Sequence, residues 1–148
     1  MNKKIWYLIL ISIALIFATN IFLNKKDTSS YKKIIIGDKV IKVESAESVM
    51  EKQKGLSGRN FMRTNNGMLF VFSQLGLYSF WMKDMKFPID IIGIDENLRI
   101  INIKKNITPD TFPKKFIPQL PARYVLEVNG GWSDKNEIKE GINIKVKP

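Results

Sequence analysis

The stretch Phe80–Asp95, FWMKDMKFPIDIIGID, decides how the rest of the chain is read. Large apolar residues run into alternating charges at Lys83–Lys86, then into Pro88 and an apolar run that carries an Asp. Side chains alternate along a strand, so Phe80 and Met82 share one face while Trp81 and Lys83 share the other. Proline has no amide donor to lose at the first residue of a strand, so Pro88 marks where a second strand begins. In that strand Asp90 lies on the same face as Ile92 and Ile94. If those two isoleucines meet a core, a carboxylate goes in with them and needs a partner there.

Working outward, the chain reads as short strands separated by turn residues. Upstream, YKKIIIGDKVIKVES forms a hairpin on Gly37-Asp38, between Ile34–Ile36 and Val40–Val43. Ser45 is positioned to cap a short helix over Ala46–Lys54, which Gly55 stops. GMLFVFSQ (67–74) is a strand, and LYSFWMK (77–83) reads as the next one. Downstream, DENL is a turn in which Asn97 can take a left-handed conformation. LRIINIKK follows as a strand. Four of the six prolines (Pro109, Pro113, Pro118, Pro121) fall within residues 106–121, which are therefore an irregular loop. ARYVLEV is another strand, Gly130-Gly131 leads into a helical turn over Trp132–Asn136, and INIKVK closes the chain. With no evident βαβ spacing, this order predicts a mainly β domain over residues 31–148, an antiparallel sandwich or partly closed barrel with two short helices.

Before that domain, Ile5–Leu23 is a run of 19 uncharged residues flanked by Lys3, Lys4, Lys25 and Lys26. As a helix it is roughly 28 Å long, close to the hydrocarbon thickness of a bilayer. Trp6 and Tyr7 stand at one end, where amphipathic rings favour the interface. The region around Ala18 lacks the small-x-small pattern of a cleavage site. Residues 1–24 are thus expected to be an uncleaved membrane anchor and residues 25–30 a polar tether. The amino-terminal charge and Asp27 favour an N-terminus inside the cell, with the domain on the extracytoplasmic side.

Absence narrows the chemistry. The chain has no Cys and no His. There is no thiol nucleophile, no disulfide framework, no imidazole base and no usual zinc ligand. The net charge is +10; setting aside the four lysines beside the apolar run leaves 20 basic against 14 acidic residues, scattered rather than clustered. Aromatics are not interleaved with basic residues as in an RNA-binding sheet, and nucleic acid is not an expected partner. Asp84, Asp90, Asp95 and Glu96 match no calcium-loop spacing, and neighbouring lysines oppose a cation there. No metal or cofactor is expected.

The motifs GLSGR (55–59), GMLFVF (67–72), FWMKDMKFPIDIIGID (80–95), YVLEVNGGW (124–132) and IKEG (138–141) stand together in order. In this the chain resembles a small bacterial and archaeal family, the domain of unknown function 192, over about residues 34–148. The resemblance implies a single β-rich, sandwich-like domain behind a signal or anchor, and it brings no reaction. Ser57 stands where the family usually has Met, and the Asn97-Leu98 turn often carries Gly in relatives.

Among the residues matching the family pattern, Arg59, Trp81, Lys83, Asp90, Glu127 and Trp132 are the ligand-binding candidates. Glu127 shares a face with Arg123 and Val125, so it too belongs among apolar neighbours. One reading makes Arg59, Lys83, Asp90 and Glu127 ion pairs that pin the helix and the aromatic strand to the sheet. Another makes them the rim of a pocket for a small polar molecule, a glycan or an envelope protein, with Trp81 or Trp132 as a stacking wall. A third uses Asp90 and Glu127 as an acid–base pair for glycoside cleavage.

Overall fold

A computed structural model describes residues 32–147. The elements are β1 (Lys32–Ile36), β2 (Lys39–Ala46), α1 (Val49–Lys54), β3 (Asn66–Gly76), β4 (Ile89–Ile94), β5 (Ile100–Ile107), β6 (Ala122–Asn129), α2 (Trp132–Lys135) and β7 (Ile144–Lys147), with a 3-10 turn at Pro109–Thr111. The strands form one seven-stranded sheet in the order β5-β4-β6-β3-β2-β1-β7. The sheet curls until its two edges meet. Arg99 bridges Asn143, the Ile100 amide donates to the Ile142 carbonyl at 2.9 Å, and the Ile144 amide donates to Leu98 at 2.8 Å. A half-barrel closed at one end therefore replaces two stacked sheets.

The hairpin forms where glycine permits it. Gly37 has φ 60° and is the first of two loop residues between the paired Ile36 and Lys39. That is the position a tight hairpin reserves for glycine. One pairing departs from the antiparallel expectation: β2 and β3 run parallel. A parallel pair needs a crossover, and residues 47–65, including α1, supply it. The sequence pattern hides this unit because α1 spans six residues, too few for a helical period to register.

Two other local expectations are corrected. β2 continues to Ala46, so Ser45 is a strand residue and Ser48 caps α1 instead. Residues 77–83 do not form a strand; Phe80 makes a single two-way bridge with Phe116. β4 has β5 and β6 as neighbours, and β3 has β2 and β6, so no edge is left for this segment.

The sheet buries both of its faces over its centre, which is why β4 is buried along its whole length rather than at alternate residues. Inside the curl lie Ile34, Ile41, Val43, Leu69, Ile92, Ile94, Leu126 and Val128, plugged by Trp132 and Ile138. On the outer face Ala46, Met68, Phe70, Ile89, Ile91 and Val125 pack under Leu56, Met82, Phe80, Met85 and Phe116. The segments 77–88 and 108–121 thus cover the outer face, and the candidate site forms where that cover is incomplete. No helix among the described residues is long and apolar enough to cross a membrane. The expected anchor at 5–23 and the tether at 25–30 lie outside the described residues.

Candidate functional site

The crossover is fixed at both ends of α1. The Ser48 hydroxyl accepts from the Glu51 amide at 3.2 Å, and the Glu51 carboxylate accepts from the Ser48 amide at 2.8 Å. This reciprocal pair satisfies amides that the first helical turn leaves open. At the other end Gly55, with φ 49°, donates to the Glu51 carbonyl at 2.8 Å. A methyl group on Gly55 would come within 3.3 Å of the Phe70 ring, so glycine also lets the helix approach the sheet. Beyond it, the Ser57 hydroxyl donates to the Lys83 carbonyl at 2.8 Å, and the Gly58 amide to the Asp84 carbonyl at 2.9 Å. Ser57 thus ties the crossover to the Lys83 turn.

Between α1, the outer end of β3 and the segment 78–85 opens a cleft of about 590 Å³. Its walls are aromatic. Phe72 and Tyr78 stack at 3.5 Å, and Phe80 meets Phe70 edge-on at 5.0 Å. Trp81, 46% exposed, stands at the mouth with Phe112 edge-on at 6.2 Å. Lys52 lies over the Phe72 ring at 5.1 Å and Lys115 over Trp81 at 5.7 Å. Lys54 and Lys83 also line the opening.

Glu127 lies on the wall of this cleft and is the one carboxylate among its lining residues. It is 5% exposed, paired across the ladder with Met68 on one side and Ile91 on the other. Burial pushes its carboxyl up to about 8, against a weaker pull downward from Arg59. Among the described residues no hydrogen bond reaches its oxygens. At neutral pH the group is therefore mostly a carboxylic acid, with an O–H donor and a carbonyl acceptor both available.

Arg59 does not line the cleft. Its guanidinium is forked onto Glu44, at 2.6 and 2.7 Å, and the pair is partly buried. The hydrogen bonds from Arg59 hold the Glu44 carboxyl below its ordinary range. Met68 pairs with both Glu44 and Glu127, so the two acids share the outer face, two strands or roughly 10 Å apart. Arg59 serves one acid directly and the other at longer range. Sequence reasoning missed Glu44, although it sits in β2 between buried Val43 and Ala46.

Asp90 belongs elsewhere. It pairs with Val128 while Glu127 pairs with Ile91, so the two carboxylates lie on opposite faces of the sheet. Asp90 is fully buried and accepts from three backbone amides: Asn106 at 2.7 Å, Gly131 at 2.9 Å and Ser133 at 2.7 Å. It fixes the bend at Asn106 (φ 49°) and the entry to α2. Trp132 is buried in the inner core. The sheet thus separates Asp90 and Trp132 from the cleft, and the proposed acid–base pair of Asp90 with Glu127 cannot flank one bond. The expected ion pairs of Asp90 and Lys83 are also absent among the described residues. Of the six candidates, Trp81, Lys83 and Glu127 meet in the cleft, with Arg59 adjoining. Phe72, Tyr78, Lys52 and Lys115 complete it; Lys52 arrives on the crossover and Lys115 on the proline-rich loop, so no local spacing links these two to Trp81. Among the described residues, no group of three or more carboxylates is gathered to hold a metal.

The family model described as "Uncharacterized ACR", domain of unknown function 192, matches residues 32–146. A crystal structure from Sinorhizobium meliloti 1021, provisionally described as a transcription regulator, is 27% identical with a TM-score of 0.73, covering 79% of this chain and 95% of its own. One from Novosphingobium aromaticivorans DSM 12444, a protein of unknown function, is 28% identical with a TM-score of 0.72, covering 78% and 83%. No curated protein matches the chain.

Proposed function

The chain belongs to the domain of unknown function 192 family, and from its cleft we propose that it is a binding module of the cell envelope. It holds a small polar molecule or a short glycan segment against Glu127, with Trp81 and Tyr78 as walls and Lys83 at the rim. Residues 5–23 tether it to the membrane, with the domain on the extracytoplasmic side.

The observation that carries this reading is Glu127. Burial disfavours its charged form, and a carboxyl drawn out of water without a protein partner costs roughly 1–3 kcal/mol. A ligand that donates to or accepts from this carboxyl in the cleft recovers that cost on binding. A volume of about 590 Å³ lies within the usual range for small-molecule sites, and mainly apolar walls with a few polar groups are their usual make-up. The carboxylate-hydrolase alternative loses its support with Asp90 on the far face.

The binding test is an NMR titration of residues 32–147 with short neutral and charged oligosaccharides and peptides. The expected result is saturable shifts around Trp81 and Lys83. Lys83→Ala and Trp81→Ala should each weaken binding about tenfold while moving Tm by no more than about 2 °C, since both side chains are exposed. If no compound binds and the cleft variants are silent, an assembly role without a pocket replaces this reading. The anchor is tested separately by membrane fractionation and mass spectrometry of the mature N-terminus. Retention of Ile5–Leu23 supports it, and a mature chain that begins after residue 18 contradicts it.

A further inference from the structure

Resting on the cleft reading, we infer that the ligand is an amphiphilic anion: an acidic headgroup on an apolar or aromatic body. Four lysines line the cleft, Lys52 and Lys54 from α1, Lys83 from the turn before β4, and Lys115 from the proline-rich loop. They come from three separate parts of the chain, so their convergence is a product of the fold and not of a charged run. Among the described residues none of the four forms a salt bridge. Lys52 stands over the Phe72 ring while donating to the Glu47 carbonyl at 2.5 Å, and Lys115 stands over the Trp81 ring. A cleft lined by one sign of charge concentrates the field on a bound ion of the other sign.

The interior asks for something different from the rim. Leu56, Phe70, Phe72, Phe80 and Met85 offer an apolar slot, which takes the apolar part of a ligand and leaves its charged group at the rim. Glu127 at its wall, as a neutral acid, supplies one hydrogen-bond donor without repelling an anion. An acid on an apolar body satisfies both regions at once. A free amphiphile and a lipid in a bilayer share this chemistry.

The test uses two fluorescent probes with the same aromatic body on residues 32–147. The solved relatives consist of this fold over 95% and 83% of their chains, so the domain stands without its leader. The anionic probe is 8-anilino-1-naphthalenesulfonate and the neutral one is N-phenyl-1-naphthylamine. The sulfonate should bind at least tenfold more tightly, the scale of one charge-assisted contact. Lys83→Ala with Lys115→Ala should remove that preference, lowering sulfonate affinity at least tenfold more than that of the neutral probe. Ser79→Trp, at an exposed lining position, should exclude both probes. Equal affinity for the two probes overturns the anionic class while leaving a cleft that binds. Binding of neither, or retention of both in Ser79→Trp, overturns the cleft reading as well. Displacement by monomeric decanoate identifies a free amphiphile and co-sedimentation with phosphatidylglycerol vesicles a lipid surface. Either supports the class, and failure of both overturns it.

Discussion

Replacing Glu127 by Gln should change how the stability of the domain depends on pH. The folded chain holds the Glu127 proton up to about pH 8, whereas the ordinary value is 4.5. Between those two values the folded state carries a proton that the unfolded state has released, so stability falls as pH rises through this window. The contribution is intact below 4.5 and fully lost above 8. The difference corresponds to about 5 kcal/mol; water at the cleft mouth screens the charged form, and roughly 3–5 kcal/mol is the expected range. Glutamine keeps the shape and cannot ionise. The variant and the parent should match within about 1 kcal/mol at pH 4.5, and the variant should be more stable by roughly 3–5 kcal/mol at pH 9. Urea unfolding at pH 4.5, 7 and 9 measures both curves, and their difference cancels every other titrating group. A difference that stays flat across that range would refute the placement of Glu127 in a water-poor wall.

Arg59→Ala leaves Glu44 partly buried without its forked partner and should destabilise the domain by roughly 1–3 kcal/mol. It should also push the Glu127 carboxyl higher still, since Arg59 is what opposes burial there; a carbon-detected carboxyl titration checks this. Asp90→Ala strands three backbone amides and should cost roughly 3–5 kcal/mol by urea unfolding. At temperatures where that variant is still folded, probe affinity should be unchanged, because the sheet lies between Asp90 and the cleft. Gly67→Ala puts a methyl carbon 2.7 Å from the Glu127 carbonyl oxygen, and a Tm drop of several degrees is expected from the forced shift in the β3–β6 pair.

The fold was legible where single residues dictate backbone shape. Gly37 set the hairpin, Pro88 set the start of β4, and Gly55 set the end of α1. Face assignments within one strand were also legible, because alternation is a local rule: Asp90 does lie with Ile92 and Ile94, and Glu127 with Val125. The relation between strands was not. Nothing in the sequence states that Ile91, rather than Asp90, stands opposite Glu127, and that one-residue register decides whether two acids meet. The turn after β4 shows a similar limit. Leu98, not Asn97, takes the left-handed conformation at φ 61°, because its side chain packs on the inner core and burial outweighs a backbone cost of about 1–2 kcal/mol. Trp132 looked like a stacking surface and is core. Lys52 and Lys115 carry no local signal in the sequence and stand over aromatic rings.

The most direct measurement is an amide chemical-shift map of residues 32–147 titrated with the naphthalene sulfonate at pH 7. Saturable shifts confined to α1, the outer end of β3, residues 78–85, Lys115 and Glu127 are the expected result. Shifts centred on Gly131–Lys135 and Asn106, on the Asp90 side of the sheet, would contradict it.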